Sequence, residues 1–255
     1  MCLVLFAYQP DSPRPLVVAA NRDEFYARPA QSAHYWESGE GEAGSQKHLL
    51  AGRDLSAGGS WLGVSTRGRF ATVTNFAEDV PNEDALLSRG ALVAEFLNSS
   101  ASANEFAHHI HGPDYRGYNL LLWDARELVY TSNRGTTQNL NAGVYGLANA
   151  ELGATWPKVT RGVANLTRIC RERPTATQLI SLLADEHLPP DETLPHRGRP
   201  LELERRVAPC FIRGEEYGTR ASTAMIVENS VVAFAEQEYG VAGVSGERQE
   251  YEFKL

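Results

Sequence analysis

The strongest constraint on what this chain can fold into is where its strand-forming segments fall. Short runs dense in β-formers recur at 2–8, 16–20, 69–75, 118–123, 127–131, 143–147, 209–212, 221–227, 231–236 and 248–253. Helical periodicity is confined to 84–97, 103–110, 158–171 and 176–186, with Pro174 separating the last two. Strands at both ends with helices grouped between them do not alternate one by one. That disfavours a doubly wound parallel sheet and favours a layered α+β arrangement, with two sheets packed face to face under helices. The polar stretches 37–46 and 188–199 read as surface loops too short to be linkers, so residues 1–255 are expected to form a single domain.

Charge narrows the partners. The chain carries 24 basic and 32 acidic side chains, a formal charge of -8, which repels phosphate backbones and anionic lipid surfaces. Nucleic acid is not an expected partner. The apolar run 2–8 has no basic residue before it and stops at Gln9-Pro10-Asp11, which is too short and wrongly flanked for a signal peptide. No later segment approaches spanning length, so membrane insertion is not expected. The three cysteines, at 2, 170 and 210, form no paired spacing, which argues against a disulfide framework or a zinc site. A reducing, cytoplasmic location is the expectation, and the sequence leaves the oligomeric state open.

Cys2 is the residue with the most distinctive chemistry. Initiator methionine is generally removed when the next residue is small, and removal would place a thiol and a free α-amine on one residue. An α-amine titrates at about 7.7–8.0 and a free thiol at about 8.5, so the amine can take the thiol proton without a borrowed histidine. A hairpin of 2–8 with 16–20 would bring its far ends together and set Arg22 beside the thiol, where a cation favours thiolate. Asp23 would then orient the amine or the arginine.

Other motifs carry less. Gly39-Glu40-Gly41-Glu42-Ala43-Gly44 spells a dinucleotide fingerprint, but no strand feeds it, no helix follows, and two glutamates would face the pyrophosphate. His108, His109 and His111 would point in different directions from a helix and have no acidic partner at ligand spacing, so no metal is expected. The chain has no Gly-x-Ser-x-Gly elbow and no Walker-type loop. No cofactor is expected. Cys170 and Cys210 read as core.

The segment Asn21-Arg22-Asp23-Glu24 matches the signature of the NRDE family, also called the transport and Golgi organisation 2 family. The resemblance continues through Met1-Cys2, Gly52-Arg53-Asp54, Gly58-Gly59-Ser60-Trp61-Leu62-Gly63, Thr74-Asn75, Ser88-Arg89-Gly90, Tyr118-Asn119-Leu120-Leu121, Leu147-Ala148-Asn149, Trp156-Pro157-Lys158 and Tyr217-Gly218-Thr219-Arg220. It implies a fold similar to the N-terminal-nucleophile hydrolases, a four-layer αββα sandwich. By local motif it implies Cys2 as nucleophile, Arg22 and Asp23 as its helpers, Asn149 as oxyanion donor and Arg220 as a late pocket arginine. It further implies Asn75 as a second oxyanion contributor through its backbone, and Trp61 and Trp156 as residues lining a pocket.

Three functions follow as expectations. The first is an amidase or acylase that forms a thioester at Cys2 and acts on a small-molecule amide or ester. The second is a carrier that keeps the hydrolase fold around a hydrophobic ligand, of the haem or acyl-lipid kind to which the resemblance links eukaryotic relatives. The third retains Met1 and leaves Cys2 structural.

Overall fold

A computed structural model describes residues 2–36, 48–77, 87–195 and 200–255. The Gly39–Gly44 motif therefore lies outside the described residues. In chain order the elements are β1 (Cys2–Tyr8), β2 (Leu16–Phe25), β3 (Ala30–Tyr35), β4 (Leu49–Asp54), β5 (Leu62–Ser65), β6 (Arg69–Asn75), α1 (Arg89–Asn98) and α2 (Ala103–His109). There follow β7 (Tyr118–Trp123), β8 (Leu128–Ser132), β9 (Gln138–Asn139), β10 (Gly143–Leu147), α3 (Pro157–Cys170), α4 (Ala176–Leu183), α5 (Leu201–Val207), β11 (Tyr217–Glu228), β12 (Val231–Tyr239) and β13 (Ser245–Lys254).

The strands form two antiparallel sheets. One runs β10-β1-β2-β11-β12-β13 and the other β3-β4-β5-β6-β7-β8-β9. Strand alternation sorts their side chains into layers. Val4, Phe6, Val18 and Met225 point inward and meet Phe70, Trp123 and Tyr130 of the second sheet. Leu3, Leu5, Ala19 and Ala224 point outward onto α3 and α4, while Leu120, Leu122 and Ala71 pack beneath α1 and α2. The order of layers is helices, sheet, sheet, helices, the αββα sandwich. Its central layer holds Phe6, Phe70, Trp123, Tyr130 and Phe234, all essentially inaccessible. Truncating any one of them to alanine should cost about 3–5 kcal/mol.

Several boundaries differ from the sequence expectation. β2 continues to Phe25, so Asn21-Arg22-Asp23-Glu24 lies inside a strand buried on both faces rather than after it. β3, β4, β5, β9 and α5 lie outside the expected segments. Residues 209–212 form a bend rather than a strand, held by Phe211 N donating to Asp185 O and by Ile212 N donating to Thr219 Oγ1. Two of the glycine motifs have a packing reason. A Cβ on Gly52 would sit 2.3 Å from the Trp61 ring, and one on Gly59 would sit 2.4 Å from the Gly90 backbone.

Candidate active site

The site assembles at the open end of the first sheet, and register explains how. Cys2 pairs with Arg22 across the β1–β2 ladder, and Arg22 pairs with Ala221, which in turn pairs with Glu238. Directly paired residues project from the same face. Cys2, Arg22, Ala221 and Glu238 thus form one row across four strands, on the inner face shared with Val4 and Phe6.

Arg22 is buried, and three groups surround its guanidinium. Its Nη2 lies 3.3 Å from Asp54 Oδ2, its Cζ stacks 4.4 Å above the Trp61 ring, and Cys2 is its cross-strand neighbour. Burial pulls the Arg22 pKa down, while Cys2, Glu24 and Asp54 act in the opposite sense. For Asp54 burial raises the pKa, but Arg28 and the Ala57 N–H offset this and leave it below the usual range. Arg28 Nε donates to Asp54 Oδ2 at 2.6 Å, so this acid is firmly anchored while its contact with Arg22 stays loose.

The other half of the site comes from the turn after β10, at the edge of the first sheet, and from the end of β6 in the second. Asn149 follows β10 and is buried; its Oδ1 accepts from Cys2 N at 3.0 Å and its Nδ2 donates to Asn75 O at 2.7 Å. The turn that carries it is held from three directions. Thr74 Oγ1 donates to Ala148 O, Ala77 N donates to Asn149 O, and Asn119 Nδ2 donates to Ala150 O. Asn119 is fixed in turn by the Tyr130 hydroxyl. Sequence reasoning gave no role to Asn119 or Asp54, although both lie in the matched motifs, which is the signal that could have found them.

The structure brings Cys2, Arg22, Asn149 and Asn75 together, with Trp61 backing Arg22. Three other residues stand differently from the expectation, two of them close to the site and Trp156 away from it. Asp23 turns its side chain to the opposite face from Arg22, where it accepts from Thr219 Oγ1 at 2.7 Å; burial pushes its pKa up. Arg220 is the extra residue of a bulge between Thr219 and Ala221, and its Nη1 donates to the carbonyls of Phe25, Tyr26 and Arg28. It clasps the turn after β2 rather than lining the large cleft. Trp156 precedes α3 and packs on the helix side of the first sheet, away from the thiol.

The other cysteines differ from Cys2. Cys210 is buried and its pKa is pushed up to about 12, and burial also raises that of Cys170. Both are poor nucleophiles at neutral pH. A cleft of about 630 Å³ opens beside Asn75 and Asn149, lined among the described residues by Phe76, Arg116, Leu203, Arg206, Val207 and Phe211. The three histidines do not converge: His108 and His109 bind the Asn104 and Glu105 carbonyls, and His111 binds Asp114. No helix among the described residues is long and apolar enough to cross a membrane.

Comparison with known proteins adds relatives and a fold. The sequence model of the family described as Transport and Golgi organisation 2 matches residues 1–240. The Transport and Golgi organization protein 2 homolog of Bos taurus is 35% identical, covering 100% of this chain and 99% of its own. The Homo sapiens homolog is 32% identical with the same coverage. Among solved structures, the Caenorhabditis elegans N-acylethanolamine-hydrolyzing acid amidase ortholog superposes with a TM-score of 0.55 at 8% identity, covering 88% of this chain and 92% of its own. At that identity the likeness shows the fold alone.

Proposed function

The chain belongs to the Transport and Golgi organisation 2 family, and from that premise we propose that it is an N-terminal-cysteine hydrolase, cleaving an amide or ester bond through an acyl-enzyme on Cys2. One observation carries the reading. The backbone nitrogen of Cys2, which becomes the α-amine once Met1 is removed, is held by Asn149 Oδ1, on the residue whose amide nitrogen would face the developing oxyanion.

The steps use groups at hand. The amine takes the thiol proton, and Sγ forms a bond to the substrate carbonyl carbon. Charge moves to the carbonyl oxygen, where the second hydrogen of Asn149 Nδ2 meets it; the first is committed to Asn75 O. The ammonium returns its proton to the leaving nitrogen or oxygen as that bond breaks. Water, deprotonated by the same amine, then attacks the thioester and the thiol is restored. Arg22 favours thiolate from across the ladder. Asp23, one position beyond the partner of Cys2 on β2, is the nearby acid suited to steadying the ammonium from the outer face.

A carrier is the second reading, and the cleft walls favour it: Phe25, Leu188 and Leu203 are 55%, 65% and 38% exposed there. An acyl ligand suits those walls better than haem, whose usual ligands are His, Cys, Met or Tyr. The described lining offers only Tyr217, whose hydroxyl is donated to Asp23 O.

Intact-mass spectra before and after exposure to small thioester and ester acyl donors test the proposal. Loss of Met1 with an acyl adduct on Cys2, absent in Cys2→Ala, is expected. Retained Met1, or labelling of Cys2 no faster than of Cys170, overturns it in favour of the carrier.

A further inference from the structure

Among the described residues, the cleft has a lining charged oppositely to the protein as a whole. Its described lining holds five arginines, Arg89, Arg116, Arg205, Arg206 and Arg213, against the acids Glu186 and Glu216, in a chain of formal charge -8. Two of the five are neutralised, Arg205 by Asp191 and Arg213 by Glu186. Arg89 donates one nitrogen to Gly117 O. Arg116 and Arg206 are exposed and make no side-chain hydrogen bond or ion pair among the described residues. They come from separate parts of the chain, Arg116 just before β7 and Arg206 in α5. Arg206 shares a face of α5 with Leu203 and Val207, at helical spacings of three and four, so one wall presents an arginine and two aliphatic side chains together. Uncompensated cations beside exposed apolar side chains, in a concave site of ligand size, call for a ligand that has both characters.

We propose that the cleft takes an amphipathic anion, an apolar chain bearing a carboxylate or phosphate, and that Arg116 and Arg206 select its charge. Phe25, Leu188, Leu203 and Phe211 cover the chain, and the reacting carbonyl lies where Asn75 and Asn149 close the cleft. Net attraction inside the cleft also explains how an acidic protein admits an anion, since local potential rather than total charge governs approach. The proposal rests on the cleft being the substrate site described above. Its binding test needs neither Met1 removal nor turnover, so each reading can fail alone.

Calorimetric titration of the Cys2→Ala protein with sodium dodecanoate, dodecyl phosphate and 1-dodecanol tests it, with acetate and inorganic phosphate as chainless controls. At least one of the two charged probes should bind about tenfold or more tightly than dodecanol, a difference of about 1.4 kcal/mol. The controls should bind far more weakly. In Arg116→Gln/Arg206→Gln the preference for charge should vanish while dodecanol affinity holds. Tight binding by dodecanoate alone identifies a carboxylate, and by dodecyl phosphate alone a phosphate. If the double variant does not fold, affinity of the Cys2→Ala protein for the preferred probe should still fall steeply with added KCl while that for dodecanol does not. Equal affinity for dodecanol, binding of the chainless anions as tight as that of the charged probes, an unchanged preference in the double variant, or an affinity for the charged probe insensitive to KCl each overturn the proposal.

Discussion

Neighbouring residues on β2 lead different lives. Arg22 faces the layer between the sheets, with a single 3.3 Å ion contact and an aromatic ring beneath it. Asn21 and Asp23 face the helices, and Asn21 is tightly engaged. Asn21 Nδ2 donates to Leu183 O and Cys210 O, its Oδ1 accepts from Ser222 Oγ at 2.6 Å, and Asp23 accepts from Thr219. The Asn21 amide is locked in bonds that secure α4 and the 209–212 bend to the sheet. The inner-face arginine keeps most of its donors uncommitted. Buried polar groups that are fully bonded hold structure, and those that are loosely bonded are left to do chemistry.

Glu236 is the exception through which this contrast can be broken. It lies on the inner face, paired with Thr223, yet is locked: Oε1 accepts from Ala33 N of β3 and Oε2 from Thr223 Oγ1. Burial, the largest influence, raises its pKa to about 7, well above the ordinary range of a glutamate. The folded state therefore holds a proton that the unfolded chain releases. The stability this contributes is fully present below about pH 4.5 and is lost as pH rises to about 7, a loss of about 3 kcal/mol. Urea unfolding at pH 5 and pH 8 should show that fall in the wild type, superimposed on the titration of other groups, and a flatter profile in Glu236→Gln. A variant profile as steep as the wild type would mean that the stabilising proton resides elsewhere.

A smaller effect is expected on the outer face. Asn21→Ala removes three buried hydrogen bonds and leaves partners unsatisfied, for a loss of about 2 kcal/mol in urea unfolding. The rate of Cys2 alkylation by iodoacetamide should be unchanged. If that rate falls along with stability, the two faces are not separate.

The mildest change sharpens the inner side. Arg22→Leu keeps an apolar stem against Trp61 and removes the cation, and should slow Cys2 alkylation at neutral pH about tenfold. Alkylation of Cys170 serves as the internal reference. A variant as fast as the wild type would show that Arg22 belongs with the structural residues.

Much of this was legible in the chain itself. The runs at 2–8, 69–75 and 143–147 coincide with strands because their β-branched and aromatic residues leave no competing periodicity. The proximity of Cys2 and Arg22 followed from a hairpin closing over Gln9–Pro15, where Gln9 N donates to Pro15 O. Other elements were hidden. β3 reads AQSAHY and β5 is four residues long, so their pairing comes from neighbours rather than from propensity. α5, seven residues behind Pro200 without a side-chain cap, carries no signal beyond a short charged run.

Local chemistry in the sequence determined that Cys2 could be both nucleophile and base, that Arg22 would stand near it, and that layered sheets would result. Only the tertiary structure decided the rest. It put Asp23 on the face opposite Arg22, because a strand alternates its side chains. It turned Arg220 toward the carbonyls of the turn after β2, because a bulge displaced it by one residue. It joined Asn149 to Cys2, and brought Arg116 and Arg206 to one cleft. Apart from that alternation, these placements depend on how two sheets and their helices close against one another, with Asn149 lying 147 residues from Cys2, and no local pattern encodes them.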